Sequence, residues 1–148
     1  MLENALLACP DELWSDRSRR PEFWYVVYHS LFWLDLYLSG SIEGFAPPVP
    51  YTLDETDPAG LLPERVYTKD EMQTYLEHGR EKCRATVEAL TDEKIRARCV
   101  FSWGEMCFGE LLLDNMRHVQ HHAAQLNLIL RQVTDSAPGW VATTKCEP

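Results

Sequence analysis

Between Gly40 and Tyr67 the chain reads GSIEGFAPPVPYTLDETDPAGLLPERVY, with five prolines and three glycines. Proline removes a backbone donor and collides with the preceding helical turn, so neither a continuous helix nor a central strand can run through this stretch. Segments of this length without regular structure are uncommon in a compact domain unless they form functional loops or wrap a core. Tyr51, Leu61 and Leu62 give this one apolar groups with which to dock. Helical patterns lie on both sides, so the segment is expected to be a crossover between two helices that run parallel.

The helix before the crossover opens near Pro21, a residue suited to a first helical turn, with Glu22 beside the positive end of the dipole. It stops at Gly40. Its apolar run from Phe23 to Leu38 is shorter than the roughly 20 residues of a membrane span and holds His29 and Asp35, so it reads as a core helix. After the crossover, Thr68 and Glu71 form a capping box, and Met72, Tyr75, Leu76, Cys83, Val87 and Leu90 follow at helical spacing. Thr91 and Asp92 begin a new turn, with a short helical segment through Ile95.

Ser102 and Glu105 have the spacing of another capping box, ahead of the longest periodic stretch, through Leu111, Val119, Ala123, Leu126, Ile129, Leu130 and Val133. The tail with Pro138, Gly139 and Trp140 is expected to pack back irregularly. At the other end, Met1 to Ala8 supply at most about two turns at 3.6 residues each, a short first helix. No Asn-Gly turn and no sustained alternation of Val, Ile or Thr marks a strand. The expected fold is all-α, a four-helix bundle with a long crossover loop, formed by one domain over residues 1–148.

A net charge of -9 offers no basic face for phosphate contacts, which argues against nucleic acid and against anionic membranes as partners. The five cysteines, Cys9, Cys83, Cys99, Cys107 and Cys146, are odd in number and form no CxxC pair. The opening MLENALLACP carries a glutamate where a secretion signal would carry Lys or Arg. Together these features point to a reducing cytoplasm. No cysteine sits in an evident electropositive setting, and Cys83 and Cys99 fall at positions expected to be packed, so none is given a catalytic role.

Chemistry concentrates in DNMRHVQHHAAQLNLILRQ. His118 and His122 lie four apart on a helix, so their rings leave one face close enough to grip one metal ion. Leu111, Asn115, Leu126 and Ile129 share that face, which therefore points into the bundle. A bare HxxxH equally fits one core histidine bonded to a neighbour and one partly exposed histidine. It is not a zincin motif, because Val119 follows the first histidine where HExxH has its glutamate base. His29, inside WYVVYHSLFWLDLYL, is the candidate third ligand, since a buried neutral imidazole needs a hydrogen-bond partner or a metal.

Asp114, one turn before His118, could complete a two-histidine, one-carboxylate set or accept a hydrogen bond from a ligand histidine. Glu105 and Glu110 serve capping and the dipole. His121, about 100° from His122 around the helix, belongs at the edge of a site or in solvent, and His78 lies off its helix's apolar stripe. The aromatic cluster Trp24, Tyr25, Tyr28, Phe32 and Trp33 reads as core and bundle packing.

The pairing of WYVVYHSLFWL with a last helix containing RHVQHHAAQLN resembles the DinB/YfiT-like superfamily over roughly residues 10 to 140. In that family one histidine comes from the second helix and two from an HxxxH near the end, which here implies His29, His118 and His122. The family's usual HRGQ ending appears as His122-Ala123-Ala124-Gln125, keeping the ligand and Gln125, which with Asp114 could support a ligand from behind, but losing the arginine. Family members also usually have a full-length first helix.

Three neutral imidazoles leave at least one open coordination position, and nitrogen ligands suit zinc or nickel. A bound water would have its pKa lowered toward about 7, and a bound thiol would be held as thiolate. The resemblance implies a metal-dependent transferase using a low-molecular-weight thiol, or a hydrolase, acting on a small molecule. The competing expectation is a non-catalytic, stress-associated metal-binding dimer. Apolar residues on more than one face of the His29 helix, beside a short first helix, favour a homodimer.

Overall fold

A computed structural model describes residues 1–60 and 62–143. Among these, the chain forms α1 (Leu2–Ala8), α2 (Asp11–Trp14), α3 (Phe23–Ser39), a 3-10 turn (Asp54–Thr56), α4 (Lys69–Glu88) and α5 (Asp92–Arg96). Strands β1 (Arg98–Phe101) and β2 (Gly104–Cys107) follow, then α6 (Phe108–Thr134).

Helices α1, α3, α4 and α6 build the bundle, and side-chain contacts fix their directions. Tyr67, just before α4, meets Trp24 and Tyr28 near the start of α3, while Lys82 reaches Ser39 at its end. The two helices are therefore parallel, as the crossover requires. Helix α6 runs against α3, because Gly40 faces Phe108, the Leu34 carbonyl accepts from Asn115, and His29 meets His118. Helix α1 runs against α4, pairing Glu3 with Arg80 and the Cys9 carbonyl with Lys69.

Helix α3 is the centre of the molecule. Twelve of its 17 residues are buried, among them Phe23, Trp24, Val27, Leu31 and Leu36. A side chain of this size contributes on the order of 1.5 to 3 kcal/mol when fully buried, so a helix apolar on nearly every side is covered on nearly every side. Asp35 on α3 is 1% exposed and accepts from the Tyr75 hydroxyl at 3.1 Å, with Lys82 and His78 completing a polar brace to α4. Most of the apolar surface of α3 is thus consumed inside the protomer. The part beside the seven-residue α1, at Leu34 and Leu38, lines an apolar cavity of about 480 Å³ together with Leu2, Val87, Leu112, Met116 and Val119.

The crossover docks where its aromatic residues allow. Tyr51 stacks on Tyr75 at 4.0 Å and its hydroxyl reaches the Glu71 carbonyl, while Tyr28 donates to the Thr52 carbonyl at 3.0 Å. Leu62 is 43% exposed and does little of this docking, and Leu61 falls outside the described residues. The Thr68–Glu71 capping box is present and starts α4, and Thr91 caps α5.

Three local expectations are corrected. Residues 98–107 form an antiparallel hairpin, with Cys99 facing Met106 and Val100 facing Glu105. Ser102 and Glu105 belong to it, and α6 begins later, at Phe108, without a side-chain cap. Each strand has only four residues, too few for alternation to stand out, and the Ser102-Trp103 turn lacks the Asn-Gly signal. Cys83, placed among packed positions by its spacing, is exposed on α4, because the short α1 leaves that face open. Trp140 is 68% exposed, although Ala137 does reach the core.

Candidate metal centre

The antiparallel contact between α3 and α6 brings His29 against His118 and His122. The Nε2 atoms of His29 and His118 are 3.2 Å apart, and those of His118 and His122 are 3.1 Å apart. All three rings offer a ligand atom within 4.8 Å of one another, and all three are half-buried. Four tetrahedral nitrogens at about 2.0–2.1 Å from zinc would stand roughly 3.3–3.4 Å from each other. The two close pairs need to open by only a few tenths of an ångström to admit such an ion.

The opposite ring nitrogens explain why Nε2 is the atom presented. The Nδ1 of His29 is 2.7 Å from Glu55 Oε2. A carboxylate only accepts, so Nδ1 carries the proton, and in the neutral ring the free lone pair is then on Nε2. The Glu55 side chain is 3% exposed, also accepts from the Trp33 indole at 3.0 Å, and keeps its Oε1 buried without a partner among the described residues. In the same way His122 Nδ1 donates to Gln125 Oε1 at 2.6 Å.

His118 differs, since its Nδ1 is buried and has no partner among the described residues. Asp114 lies one turn away but contacts Arg117 at 3.5 Å and makes no hydrogen bond to a site histidine. The two share a shallow surface cavity of about 480 Å³ with His121.

Burial holds the His118 imidazolium down, to a pKa of about 3, with the neighbouring His122, His29 and His121 adding to it. Burial also lowers His122, against the upward pull of its bond to Gln125. Both rings are neutral at neutral pH, the form in which imidazole binds a metal. Converging ring nitrogens, two rings held from behind, and His118 and His122 in the neutral form together fit a divalent cation.

Aromatic rings surround this group. Tyr25 and Trp33 lie 6.0 and 6.2 Å from the His29 ring, and Tyr37 lies 6.0 Å from His118. Burial first, and then the Glu55 carboxylate, push the Tyr25 phenol well above its ordinary range.

Of the sequence candidates, His29, His118, His122 and Gln125 are brought together, Asp114 stands beside them, and His121 sits exposed next to His122. His78 is elsewhere, on the Asp35 brace. Burial raises the thiols of Cys9, to about 12, and Cys99, so neither is an activated nucleophile, and Cys146 lies outside the described residues. Glu55 went unnoticed in the sequence. Acidic neighbours Asp54 and Asp57 share its segment, and no spacing rule says which carboxylate returns to a histidine 26 residues earlier.

These features define a class, helical bundles whose facing helices present three histidines able to hold a divalent ion. A family model described as DinB superfamily matches residues 1–126, a span that includes all three histidines. The chain belongs to the DinB superfamily. No curated protein and no solved structure matches it. Among the described residues no helix is long and apolar enough to cross a membrane.

Proposed function

We propose that this chain is a metal-dependent transferase that joins a low-molecular-weight thiol to a small electrophile, with His29, His118 and His122 holding zinc or nickel. The observation that carries the reading is the convergence of three Nε2 atoms while His29 and His122 are fixed from behind by Glu55 and Gln125. A three-nitrogen set leaves a coordination position open, as reacting sites do and closed structural sites do not. When bound, a divalent ion supplies acidification of a coordinated thiol, or of a water in the hydrolase variant of the same reading.

The protein's own groups do the rest. Glu55 keeps the proton on His29 Nδ1, and Gln125 does the same for His122. Asp114, one turn before His118 and beside Arg117, is the carboxylate we assign to His118 Nδ1, which has no partner among the described residues. The thiol pool of the cytoplasm is the source of the cosubstrate.

The test begins with elemental analysis of protein purified without a metal-affinity tag. A screen of thiols against iodoacetamide follows, in which a C–S bond forms, the C–I bond breaks, iodide leaves with the electron pair and the thiol proton passes to solvent. Metal-dependent thiol consumption above the uncatalysed rate is expected. A protein that holds no zinc, nickel or similar ion after reconstitution refutes the reading.

The second reading is a non-catalytic, metal-braced dimer. It is favoured by His29, the crossover's Glu55 and α6 meeting at one point, where an ion would tie three segments. Metal binding with no thiol or ester turnover selects it. In either case a homodimer would form across the apolar surface beside α1, which includes Leu34 and Leu38 of α3, and light scattering at micromolar concentration reads the mass directly.

A further inference from the structure

The hairpin of β1 and β2 is the element that the metal centre does not explain, and its tip carries a large apolar side chain into partial solvent. Trp103 is 47% exposed. Its indole stacks on Phe101 at 4.5 Å with an interplanar angle of 18°. It also meets Trp33 at 5.4 Å edge-on and Tyr37 at 5.8 Å. Those same two rings are the ones that lie against His29 and His118. The histidine cluster, Trp33, Tyr37 and Trp103 therefore form one continuous path of packed rings, from the half-buried histidines to an open aromatic edge.

Folding economy does not require this arrangement. A hairpin needs a turn residue at its tip, and an exposed serine, asparagine or glycine would serve there without placing an indole in water. Phe101 beneath is 6% exposed with the indole stacked on it, while Trp103 itself keeps an open ring edge. Trp33 is tied to the centre a second way, since its indole N–H donates to Glu55, the group that orients His29.

We infer that Trp103 and the half-buried Trp33, backed by the buried Tyr37, form a recognition wall for a flat aromatic or conjugated group on the small molecule that enters the metal centre. The wall's role in selecting an electrophile rests on the transferase reading, but its binding of an arene does not. Offset or edge-on ring pairs add to the burial of a planar ligand, whereas a short aliphatic ligand gains little from the same wall. Trp103 is thus a specificity residue, while the histidines carry the reactive end.

The experiment uses the full chain loaded with zinc and 4-nitrobenzyl alcohol, a flat, neutral arene without a leaving group. Binding is followed by calorimetry and by quenching of tryptophan fluorescence. Saturable binding is expected for the wild type, about tenfold weaker binding for Trp103→Ala, and recovery of most of the affinity in Trp103→Phe. Trp140→Ala, which changes an exposed tail tryptophan, is expected to bind like the wild type.

Zinc content checks that Trp103→Ala keeps its centre. In turnover, Trp103→Ala should raise KM for 1-chloro-2,4-dinitrobenzene by a larger factor than KM for iodoacetamide. Equal arene binding by the wild type and Trp103→Ala, or no saturable binding, overturns the wall, even if iodoacetamide is consumed and the transferase reading stands. Arene binding that depends on Trp103 without turnover of either electrophile upholds the wall and removes the transferase reading.

Discussion

Glu55 accepts from both His29 and Trp33 and is almost fully buried, so its loss would leave His29 free to rotate or to change tautomer. Removal of such a supporting group typically weakens metal binding about 10- to 100-fold. Glu55→Ala should lower zinc affinity by that order in a competition titration with a chromophoric chelator, and Glu55→Gln, which keeps the shape and an acceptor oxygen, should lose less. An unchanged affinity in Glu55→Ala would show that His29 is held by packing alone. The three histidines themselves are expected to behave differently. His29→Ala, His118→Ala and His122→Ala should each remove most bound metal, whereas His78→Ala and His121→Ala should not. At this scale the sequence was legible where chemistry follows a helical period, as in the i,i+4 pair and in a histidine set in an apolar helix. It was illegible where the partner arrives from an irregular segment, because Glu55 reaches His29 through a crossover whose path no local rule specifies.

At the scale of elements, the stops and starts that rest on backbone geometry were readable. Gly40 ends α3 with φ at 74°, a left-handed conformation that costs an L-residue roughly 1–2 kcal/mol. A Cβ there would also stand 3.3 Å from the Phe108 ring, at the point where α3 hands the chain to the crossover and α6 begins. Gly40→Ala should therefore lower stability by about 1–2 kcal/mol, read as a shift of the urea midpoint at unchanged slope. A midpoint equal to that of the wild type would mean that the helix end relaxes at no cost. The hairpin escaped the sequence for the opposite reason. Its strands are short, and its Ser102 and Glu105 have the spacing of a helix cap, so a local signal pointed to the wrong element. Cys83 and Val87 show the same limit, since helical spacing identifies a stripe but not whether another helix is long enough to cover it.

At the scale of the whole molecule, the three histidines and Glu55 join segments far apart in the chain: α3, the crossover and α6. The closing of such long loops costs entropy that grows only slowly with length, so one strong tie among them is an effective stabiliser. A ligand that binds only the folded state stabilises it by RT ln(1 + [L]/Kd), about 2.7 kcal/mol when its free concentration is 100 times Kd. For a chain of this size, a change of about 1 kcal/mol moves the melting temperature by roughly 2–4 °C or somewhat more. Zinc at that excess should therefore raise the melting temperature by on the order of 5–10 °C, and a chelator should take the gain away. The His29→Ala, His118→Ala, His122→Ala triple variant should melt at the same temperature with and without zinc. Backbone amides around Glu55 should exchange more slowly with solvent in the zinc-loaded wild type than in the chelated one, because the crossover is fastened through His29. If zinc raises the melting temperature of the triple variant as much as that of the wild type, the ion acts elsewhere, and the histidines are ordinary core residues that hydrogen-bond to one another.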